Sequence, residues 1–350
     1  MHSADQSQPP QPRAVALSDA YRRLSLAPMM ELTDRHCRYL FRLLSQHALL
    51  YTEMLTSRAV LHGDQEYLLG CSEVETPVVL QLGGSDPAEM AEAAAIGESW
   101  GYSEINMNVG CPSDRVQSGR FGACLMAEPE LVARNVRAMQ DTVQIPVSVK
   151  CRLGIDRDER YDVLENFVSH IQEAGCQHVV VHARKAWLDG LSPKENRTVP
   201  PLRYDFVYRL KQRFPELHIT INGGIDSWQS IDTHLSHVDA VMLGRKAYYD
   251  PAFLCRADKH LFSGLQDGLE LTGDVTALAS VARDYAKYVQ IRVDSGIKPS
   301  ALLRHLIALF QEVPGARLWR RHLSEQANKT SNIIALVDEA LLFVEQSAVT

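Results

Sequence analysis

The sequence lacks the cysteine patterns of a metal site or of a disulfide framework. Its seven cysteines are odd in number and no two have CxxC spacing; they lie at positions 37, 71, 111, 124, 151, 176 and 255. Zinc sites and disulfide frameworks both use cysteines in regular pairs. We therefore expect no metal, and reduced thiols of the kind found in cytoplasmic enzymes.

Long apolar runs and an excess of basic charge are also missing. No apolar run approaches the roughly 20 residues that a membrane-spanning helix needs. The polar segment from Met1 to Asp19 has no apolar core for a signal peptide, so we expect a disordered tail over residues 1–20. The net charge is −7, from 36 basic and 43 acidic residues. Any surface that binds nucleic acid must therefore be local.

From Leu24 onward, short apolar runs alternate with segments of helical periodicity. Eight runs predict strands, at Leu24–Ala27, Leu49–Met54, Val78–Leu82, Glu104–Asn108, Val147–Lys150, His178–His182, Leu217–Asn222 and Val238–Leu243. The segments between them predict helices, at Asp34–Gln46, Pro87–Gly101, Pro129–Val143, Tyr161–Ala174, Asp205–Phe214 and Ser227–Leu235. This alternation predicts an α/β fold, a TIM (β/α)8 barrel over residues 21–262. A doubly wound open sheet is the alternative, but no GxGxxG follows the first strand.

After about residue 262 the strand-like runs stop. Helices are predicted at Thr276–Val293, Ser300–Gln311, Ala316–Gln326 and Asn332–Ser347, with Pro299 and Pro314-Gly315 as breaks between them. The barrel is therefore expected to be followed by a C-terminal all-α helical domain over residues 263–350.

Side chains that can bind a ligand or take part in catalysis follow the predicted strands. They lie at the end where barrel enzymes carry their catalytic loops. In chain order they are Pro28, Met29, Met30, Gln81, Asn108, Cys111, Lys150, His182, Asn222, Gly223, Gly224, Gly244 and Arg245. Each has an ordinary alternative, since Cys111 fits a buried thiol in a turn, Lys150 a surface lysine and His182 a core histidine. Their occurrence at consecutive strand ends favours one shared site.

The last two strand ends have the features of a phosphate site. Glycines at Gly223, Gly224 and Gly244 let backbone N–H groups approach an anion, and Arg245 adds a permanent cation. A flavin would also supply the anionic partner that Lys150 needs, because the reduced ring is anionic near N1. His182 and Gln81 carry groups that can bond the edge of such a ring.

These residues stand in an order that resembles the tRNA-dihydrouridine synthases. The motifs are Ala27-Pro28-Met29, Asn108-Val109-Gly110-Cys111-Pro112-Ser113, Lys150-Cys151-Arg152, His182-Ala183-Arg184-Lys185-Ala186, Asn222-Gly223-Gly224-Ile225 and Gly244-Arg245. The runs 190–197, 200–202 and 314–321 resemble the branch that modifies uridines 20 and 20a in the D-loop. The resemblance extends over about residues 22–330.

The resemblance implies an enzyme that reduces the 5,6 double bond of uracil in tRNA, with FMN as cofactor and NADPH as reductant. It implies that FMN is held by Pro28, Met29, Met30, Gln81, Lys150, His182, Asn222, Gly223, Gly224, Gly244 and Arg245. It also implies that Cys111 gives a proton to C5 after hydride transfer from reduced FMN to C6. A thiol suits this role because its unperturbed pKa of about 8.5 keeps it protonated at neutral pH. Asn108 would bond a base edge or fix the loop of Cys111.

Two locally basic segments are candidates for the surface that binds tRNA. From Ala183 to Phe214 there are eight basic and three acidic residues, and from Gly296 to Thr330 six basic and two acidic. The candidate contacts are Arg184, Lys194, Arg197, Arg317 and Arg320. Each segment fits a solvated helix face equally well, and Trp187 and Trp319 fit either base stacking or packing. We expect a monomer that binds no membrane.

Two other functions remain open from the sequence. An FMN-barrel reductase that acts on a free small pyrimidine would keep the cofactor residues but give the basic helical domain no role. A non-catalytic RNA-binding protein on a barrel scaffold would bind no flavin.

Overall fold

The centre of the protein is a closed barrel of eight parallel strands, paired in chain order, with β8 closing on β1. The computed structural model describes residues 17–158, 160–263 and 271–346. The strands are β1 (Leu24–Leu26), β2 (Leu49–Thr56), β3 (Val78–Gly83), β4 (Glu104–Val109), β5 (Val147–Cys151), β6 (His178–His182), β7 (His218–Asn222) and β8 (Ala240–Leu243). The predicted barrel is confirmed, and closure through β1 excludes the open doubly wound sheet.

Helices lie between the strands at the predicted positions, and shorter ones are added in the loops. They are α1 (Asp19–Arg22), α2 (Arg35–Leu44), α3 (Ser57–His62), α4 (Gln65–Leu69), α5 (Pro87–Ser99), α6 (Asp114–Ser118), α7 (Pro129–Gln140), α8 (Tyr161–Glu173), α9 (Tyr204–Arg213), α10 (Trp228–Leu235), α11 (Arg245–Tyr249) and α12 (Ala257–Leu261). Short 3-10 helices lie at Glu73–Glu75, Gly122–Ala127, Glu195–Arg197 and Pro251–Arg256. Asp86 and Ser227 accept backbone N–H bonds at the starts of α5 and α10, where their side chains complete helix caps.

Strand β4 separates two cores through its alternation of polar and apolar residues. Ile105, Met107 and Val109 belong to the large apolar core between the strands and the helices. Glu104 and Asn106 point to the other side, into the barrel interior, and both are fully buried. The rest of the barrel interior holds an apolar cluster of Ala27, Met29, Leu49, Tyr51, Val79, Val180 and Met242.

The C-terminal region is helical, as predicted. It contains α13 (Val275–Asp294), α14 (Pro299–Leu303), α15 (Ala316–Gln326) and α16 (Ile333–Glu345). Ser347, the predicted end of the last helix, lies outside the described residues.

The helix predicted over Ser300–Gln311 is wrong beyond Leu303. Consecutive tight turns follow, with Leu306 N bonded to Leu303 O and Leu309 N to Leu306 O. This tighter path keeps Leu306 and Leu309 fully buried. The carbonyl of Leu306 accepts a second hydrogen bond from Trp319 Nε1 at 3.2 Å. Packing against α15 therefore outweighs the helical propensity of this segment.

The predicted tail over residues 1–20 is too long at its C-terminal end. Asp19 and Ala20 belong to α1, which is held to the barrel because Arg22 donates to Glu104 at 2.5 Å. Residues 1–16 lie outside the described part of the chain. The predicted domain boundary after residue 262 adjoins residues 264–270, which are likewise outside it, and stays a prediction.

The helical region packs against α2 of the barrel. Arg304 Nη2 lies 2.6 Å from Asp34 Oδ2, and His305 Nε2 lies 3.1 Å from Asp34 Oδ1. The Tyr39 and Tyr288 rings stack with centroids 3.9 Å apart. One apolar core runs through both regions. Among the helices of the described residues, none has the length and apolar character that crossing a bilayer requires.

Candidate active site at the barrel mouth

Four cationic side chains lie within electrostatic range of His182, whose Nε2 is buried. Burial lowers the pKa of His182 well below its usual range, and the charges of Arg152, Lys150, Arg184 and Arg245 lower it further. The imidazole is therefore neutral near pH 7. Within residues 17–158, 160–263 and 271–346, none of these four cations pairs with a carboxylate. A cluster of this kind fits an anionic ligand.

Lys150 and Asn222 come together from the ends of β5 and β7. Lys150 Nζ donates to Asn222 Oδ1 at 3.4 Å, and Asn222 Nδ2 donates to the carbonyl of Met242 at 2.8 Å. Burial lowers the pKa of Lys150 to about 8. An ammonium has three donors, so Lys150 retains donors for a bound acceptor.

The glycine pair after β7 lets the backbone pass close to His182. Gly223 and Gly224 have φ angles of 117° and 71°, which favour glycine. A Cβ at Gly223 would lie 2.8 Å from His182 Cδ2. His182 Nε2 is buried and has no hydrogen-bond partner in the described part of the chain. This orphaned nitrogen marks a position where a ligand atom is needed.

The first and last strand ends meet at the mouth. Met29 is buried and Pro28 half-buried, whereas Met30 is 55% exposed. A Cβ at Gly244 would lie 3.8 Å from Met29 Sδ, so these two loops are neighbours. Arg245 begins α11 directly after that glycine.

Cys111 lies on the loop after β4, and hydrogen bonds fix the backbone of that loop. Asn108 Oδ1 accepts the N–H groups of Gly110 at 3.1 Å and of Cys111 at 3.0 Å. The carbonyl of Cys111 accepts from Ala123 N at 2.9 Å. Arg152 Nε donates to the carbonyl of Gly110 at 3.1 Å. The thiol is thus carried by a rigid loop.

The Cys111 side chain is half-buried. Its sulfur lies 3.5 Å from Ser113 Oγ. Burial lowers the pKa of Lys150 and of Arg152, and a negative charge on Cys111 would raise both. The thiol therefore lies within electrostatic reach of the two cations.

Asn108 and Gln81 are bonded to each other beneath this loop. Asn108 Nδ2 donates to Gln81 Oε1, and Gln81 Nε2 donates to Asn106 Oδ1, both at 2.8 Å. Of the two roles predicted for Asn108, the observed bonds correspond to fixing the loop of Cys111. Gln81 is buried below the loop.

The long loop after β6 carries three of the basic residues predicted to contact tRNA. Lys194 and Arg197 are exposed, and the carbonyl of Arg197 accepts from Arg245 Nη2 at 3.4 Å. Arg184 is half-buried and donates through Nη1 to the carbonyl of Pro200. Arg184 therefore connects the two ends of the loop, while the other two remain accessible.

Asn196 organises the same loop from within. It is fully buried, its Oδ1 accepts from Trp187 N at 2.8 Å, and its Nδ2 donates to the carbonyls of Trp187 and Leu191. Lys185 Nζ lies 4.5 Å from the centre of the Trp187 ring. Trp187 is thus partly committed to the protein.

The other two predicted tRNA contacts lie on α15. Arg317 is exposed and Arg320 half-exposed, and neither forms an ion pair with a described residue. Trp319 lies between them in sequence but is fully buried, so it packs in the core and does not stack on a base.

The sequence-based set of site residues omits Arg152 and Tyr204. Arg152 follows Lys150 by two positions, and period-2 spacing could have placed it on the same side of the strand. Tyr204 gives no local signal. Its hydroxyl donates to the carbonyl of Gly223 at 2.6 Å only because the barrel brings α9 beside the loop after β7.

The comparison with protein families gives a match over most of the chain. A family model described as dihydrouridine synthase (Dus) matches residues 25–345, most of the chain. The chain belongs to the dihydrouridine synthase family. It is thus an oxidoreductase, and the family predicted from the sequence motifs is confirmed.

Relatives across the bacteria support the same branch of the family. A protein of Synechocystis sp. named tRNA-dihydrouridine(20/20a) synthase is 54% identical over 318 residues, covering 91% of this chain and 93% of the relative. A protein of the same name from Xanthomonas campestris is 52% identical over 329 residues, covering 94% and 95%. The predicted branch of the dihydrouridine synthase family is therefore confirmed.

A solved structure extends the comparison to the fold. The old yellow enzyme homologue from Zymomonas mobilis superposes with a TM-score of 0.51 at 11% identity, covering 68% of this chain and 88% of the other. At this identity the similarity establishes the barrel fold alone.

Proposed function

We propose that this protein reduces uridine to 5,6-dihydrouridine at positions 20 and 20a in the D-loop of tRNA, with FMN as cofactor and NADPH as reductant. The observation that carries the proposal is the cation cluster around neutral His182, with the Cys111 thiol beside it. The names of the relatives support the choice of substrate and of positions.

The cluster fits FMN because its cations have no carboxylate partner among the described residues. The orphaned nitrogen, His182 Nε2, likewise has no hydrogen-bond partner there. Lys150, His182 and Asn222 would contact the flavin, and Gly223, Gly224, Gly244 and Arg245 its phosphate. The proposed set is completed by Pro28, Met29, Met30 and Gln81. When bound, FMN supplies the hydride that reduces C6 of the uracil, and NADPH restores the reduced cofactor.

Cys111 is the proposed proton donor to C5 of the uracil. Proton transfer by a positioned acid lowers the barrier as negative charge develops at C5. Asn108 and Arg152 fix the loop backbone on both sides of Gly110, which holds the thiol in place. The positive charges of Arg152 and Lys150 stabilise the thiolate that remains after the proton has left.

The substrate must present a single base to the mouth, which requires that the base leave its stack in the folded tRNA. We propose that Lys194, Arg197, Arg317 and Arg320 contact the phosphate backbone, since their side chains are wholly or partly exposed. Binding should then weaken as salt rises, because phosphate contacts release counterions. A monomer in the cytoplasm remains our prediction.

Replacement of the proposed acid tests the function. Cys111→Ala should retain flavin absorbance but form dihydrouridine at least about 100-fold more slowly in single-turnover assays with reduced enzyme and unmodified tRNA. Cys124→Ala is the matched control, because this second half-buried thiol donates to the carbonyl of Phe121 at 3.1 Å. Full activity of Cys111→Ala would contradict the role of Cys111 as acid.

Reduction of a free pyrimidine is the second candidate, favoured by the fact that every residue of the cation cluster lies in the barrel. The wild-type enzyme separates the two functions when tRNA and free uridine are compared at equal concentration. We expect product from tRNA alone. Turnover of free uridine at a comparable rate would favour the second candidate, and a colourless protein that does not take up FMN would exclude both.

A further inference from the structure

A chain of hydrogen bonds begins at the loop of Cys111 and runs down into the barrel. Its upper part has three links. The N–H groups of Gly110 and Cys111 donate to Asn108 Oδ1, Asn108 Nδ2 donates to Gln81 Oε1, and Gln81 Nε2 donates to Asn106 Oδ1. Gln81 and Asn106 are in register on neighbouring strands β3 and β4.

The lower part of the chain continues to the opposite end of the barrel. Asn106 Nδ2 donates to Ser148 Oγ at 2.8 Å, and Ser148 Oγ donates to Glu104 Oε1. Glu104 Oε2 accepts from Arg22 Nη2 at 2.5 Å, and Glu104 Oε1 lies 3.1 Å from His178 Nδ1. The chain therefore joins the floor of the barrel to the loop of Cys111 without a break.

The two ends of the chain allow only one direction of donation. Backbone N–H groups can only donate, so Asn108 must present its oxygen to the loop. At the other end Glu104 is ionised: burial would raise its pKa, but His178, Arg22 and Ser148 lower it to about 2. A carboxylate can only accept, so Ser148 must give its proton downward and accept from the carboxamide above it.

Because the chain is buried, the polar groups in it depend on each of its hydrogen bonds. Glu104, Asn106 and Ser148 are fully buried, Gln81 is 1% exposed and Asn108 is 8% exposed. In such surroundings no water replaces a lost partner, and an unsatisfied group costs the full desolvation penalty. The carboxamides therefore hold one orientation together, as expected for a satisfied buried network.

We propose that Ser148 and Glu104 are positioning residues for the Cys111 thiol, acting through the carboxamides of Asn106, Gln81 and Asn108. This inference rests on the proposed role of Cys111 as proton donor. Without the hydroxyl of Ser148, Asn106 Nδ2 loses its acceptor, and the lower end of the chain no longer opposes reversal of the three carboxamides. A reversed Asn108 would present its NH2 group to the N–H groups of the loop, which would release the loop.

The experiment compares two buried serines of the barrel. Ser148→Ala cuts the chain, whereas Ser25→Ala makes the same substitution on β1, where Ser25 Oγ donates to the carbonyl of Val241 at 3.5 Å. Both variants are purified with their flavin. We measure amide hydrogen exchange of residues 109–113 by mass spectrometry, and kcat and KM on unmodified tRNA.

For Ser148→Ala we expect exchange of residues 109–113 to accelerate by about tenfold or more, and kcat to fall roughly 10- to 100-fold with KM within about twofold of the wild type. Ser25→Ala should change neither quantity. Unchanged exchange in Ser148→Ala would overturn the proposal, because it would show that Ser148 is not connected to the loop. An equal acceleration in both variants would also overturn it, because it would show only a general loosening of the barrel.

Measurements on the wild type keep the test decisive if Ser148→Ala does not fold. The amides of Gly110 and Cys111 should exchange as slowly as those of β4, although they lie in a loop. Fast exchange there would refute the inference. The exchange result does not depend on the chemistry, so an active Cys111→Ala variant would contradict the role of Cys111 as proton donor and leave the connection through the barrel intact.

Discussion

The charged form of Lys150 is disfavoured by its buried position at the barrel mouth. Its hydrogen bond to Asn222 is long, and burial brings its pKa down to about 8 from an ordinary value of 10.5. In the flavin-free protein this positive charge weakens the fold. The same charge attracts an anionic ligand, so binding and stability are linked at this residue.

The destabilisation of the flavin-free protein by charged Lys150 should depend on pH. Between the folded pKa of about 8 and the unfolded value of 10.5, the unfolded state binds more protons, so wild-type stability gains from this group as pH rises. Flavin-free Lys150→Met should therefore be more stable than the wild type near pH 7, by on the order of 1 to 3 kcal/mol. The advantage should shrink as the pH rises through this window.

Urea unfolding of both proteins near pH 7 and near pH 10 measures this difference. Lys194→Met is the control, because Lys194 is exposed and the same substitution there removes no buried charge. An advantage of Lys150→Met that is equal at both pH values would show that the lysine does not titrate in the folded protein as expected.

At the scale of elements, the junction of α15 with α16 depends on a single glycine. Gly315 precedes α15 with a φ of 86°, and a Cβ at this position would lie 1.9 Å from the carbonyl oxygen of Phe343. Gly296 has a similar φ of 98° after α13, but a Cβ there would have no neighbour within 4 Å. Substitution of Gly296 therefore measures backbone strain alone, whereas substitution of Gly315 measures strain together with steric overlap.

We expect Gly296→Ala to lower the free energy of unfolding by about 1 to 2 kcal/mol, the cost of a positive φ for an L-residue. Gly315→Ala should cost about 1 to 3 kcal/mol more, because the backbone of α16 must move to admit the methyl group. Chemical denaturation of both variants gives the two values. Equal losses would mean that α16 can shift freely, which would contradict the tight junction.

At the scale of the whole molecule, Asp34 joins the barrel to the helical region. Its side chain caps α2 through the N–H groups of His36 and Cys37, and it also binds Arg304 and His305. Burial alone would raise the pKa of Asp34, but the bonds from His305, Cys37 and Arg304 hold it well below its usual range. The carboxylate therefore stabilises the protein above its unfolded pKa of 3.8, and this contribution is lost as the pH falls.

The substitution Asp34→Asn retains an acceptor for the cap but removes the charge at this junction. Near pH 7 we expect it to lower the free energy of unfolding by about 1 to 3 kcal/mol, with a difference from the wild type that shrinks below about pH 4. Denaturation at both pH values measures this. Asp64→Asn, which changes an exposed helix cap, should show little effect at either. A difference that persists in acid would contradict the ionic junction.

The sequence by itself determined the alternation of strands and helices, the strand ends and the family motifs. These features depend on short-range rules: period-2 and period-3.6 patterns, proline at helix starts, and glycine after strands. Asp86 and Ser227 cap α5 and α10 next to them in the sequence, and Lys150 and Arg245 both lie within electrostatic range of His182.

Tertiary structure alone decided which partner each polar side chain takes. Asn108 bonds to Gln81, 27 residues away, Lys150 bonds to Asn222, 72 residues away, and Tyr204 reaches Gly223 across the closed barrel. It also decided that the helix predicted over Ser300–Gln311 ends at Leu303, where Leu306 and Leu309 are fully buried and the carbonyl of Leu306 accepts from Trp319 Nε1. Local patterns cannot specify such pairs, since the partners meet only when the barrel closes and buried polar groups must then be satisfied.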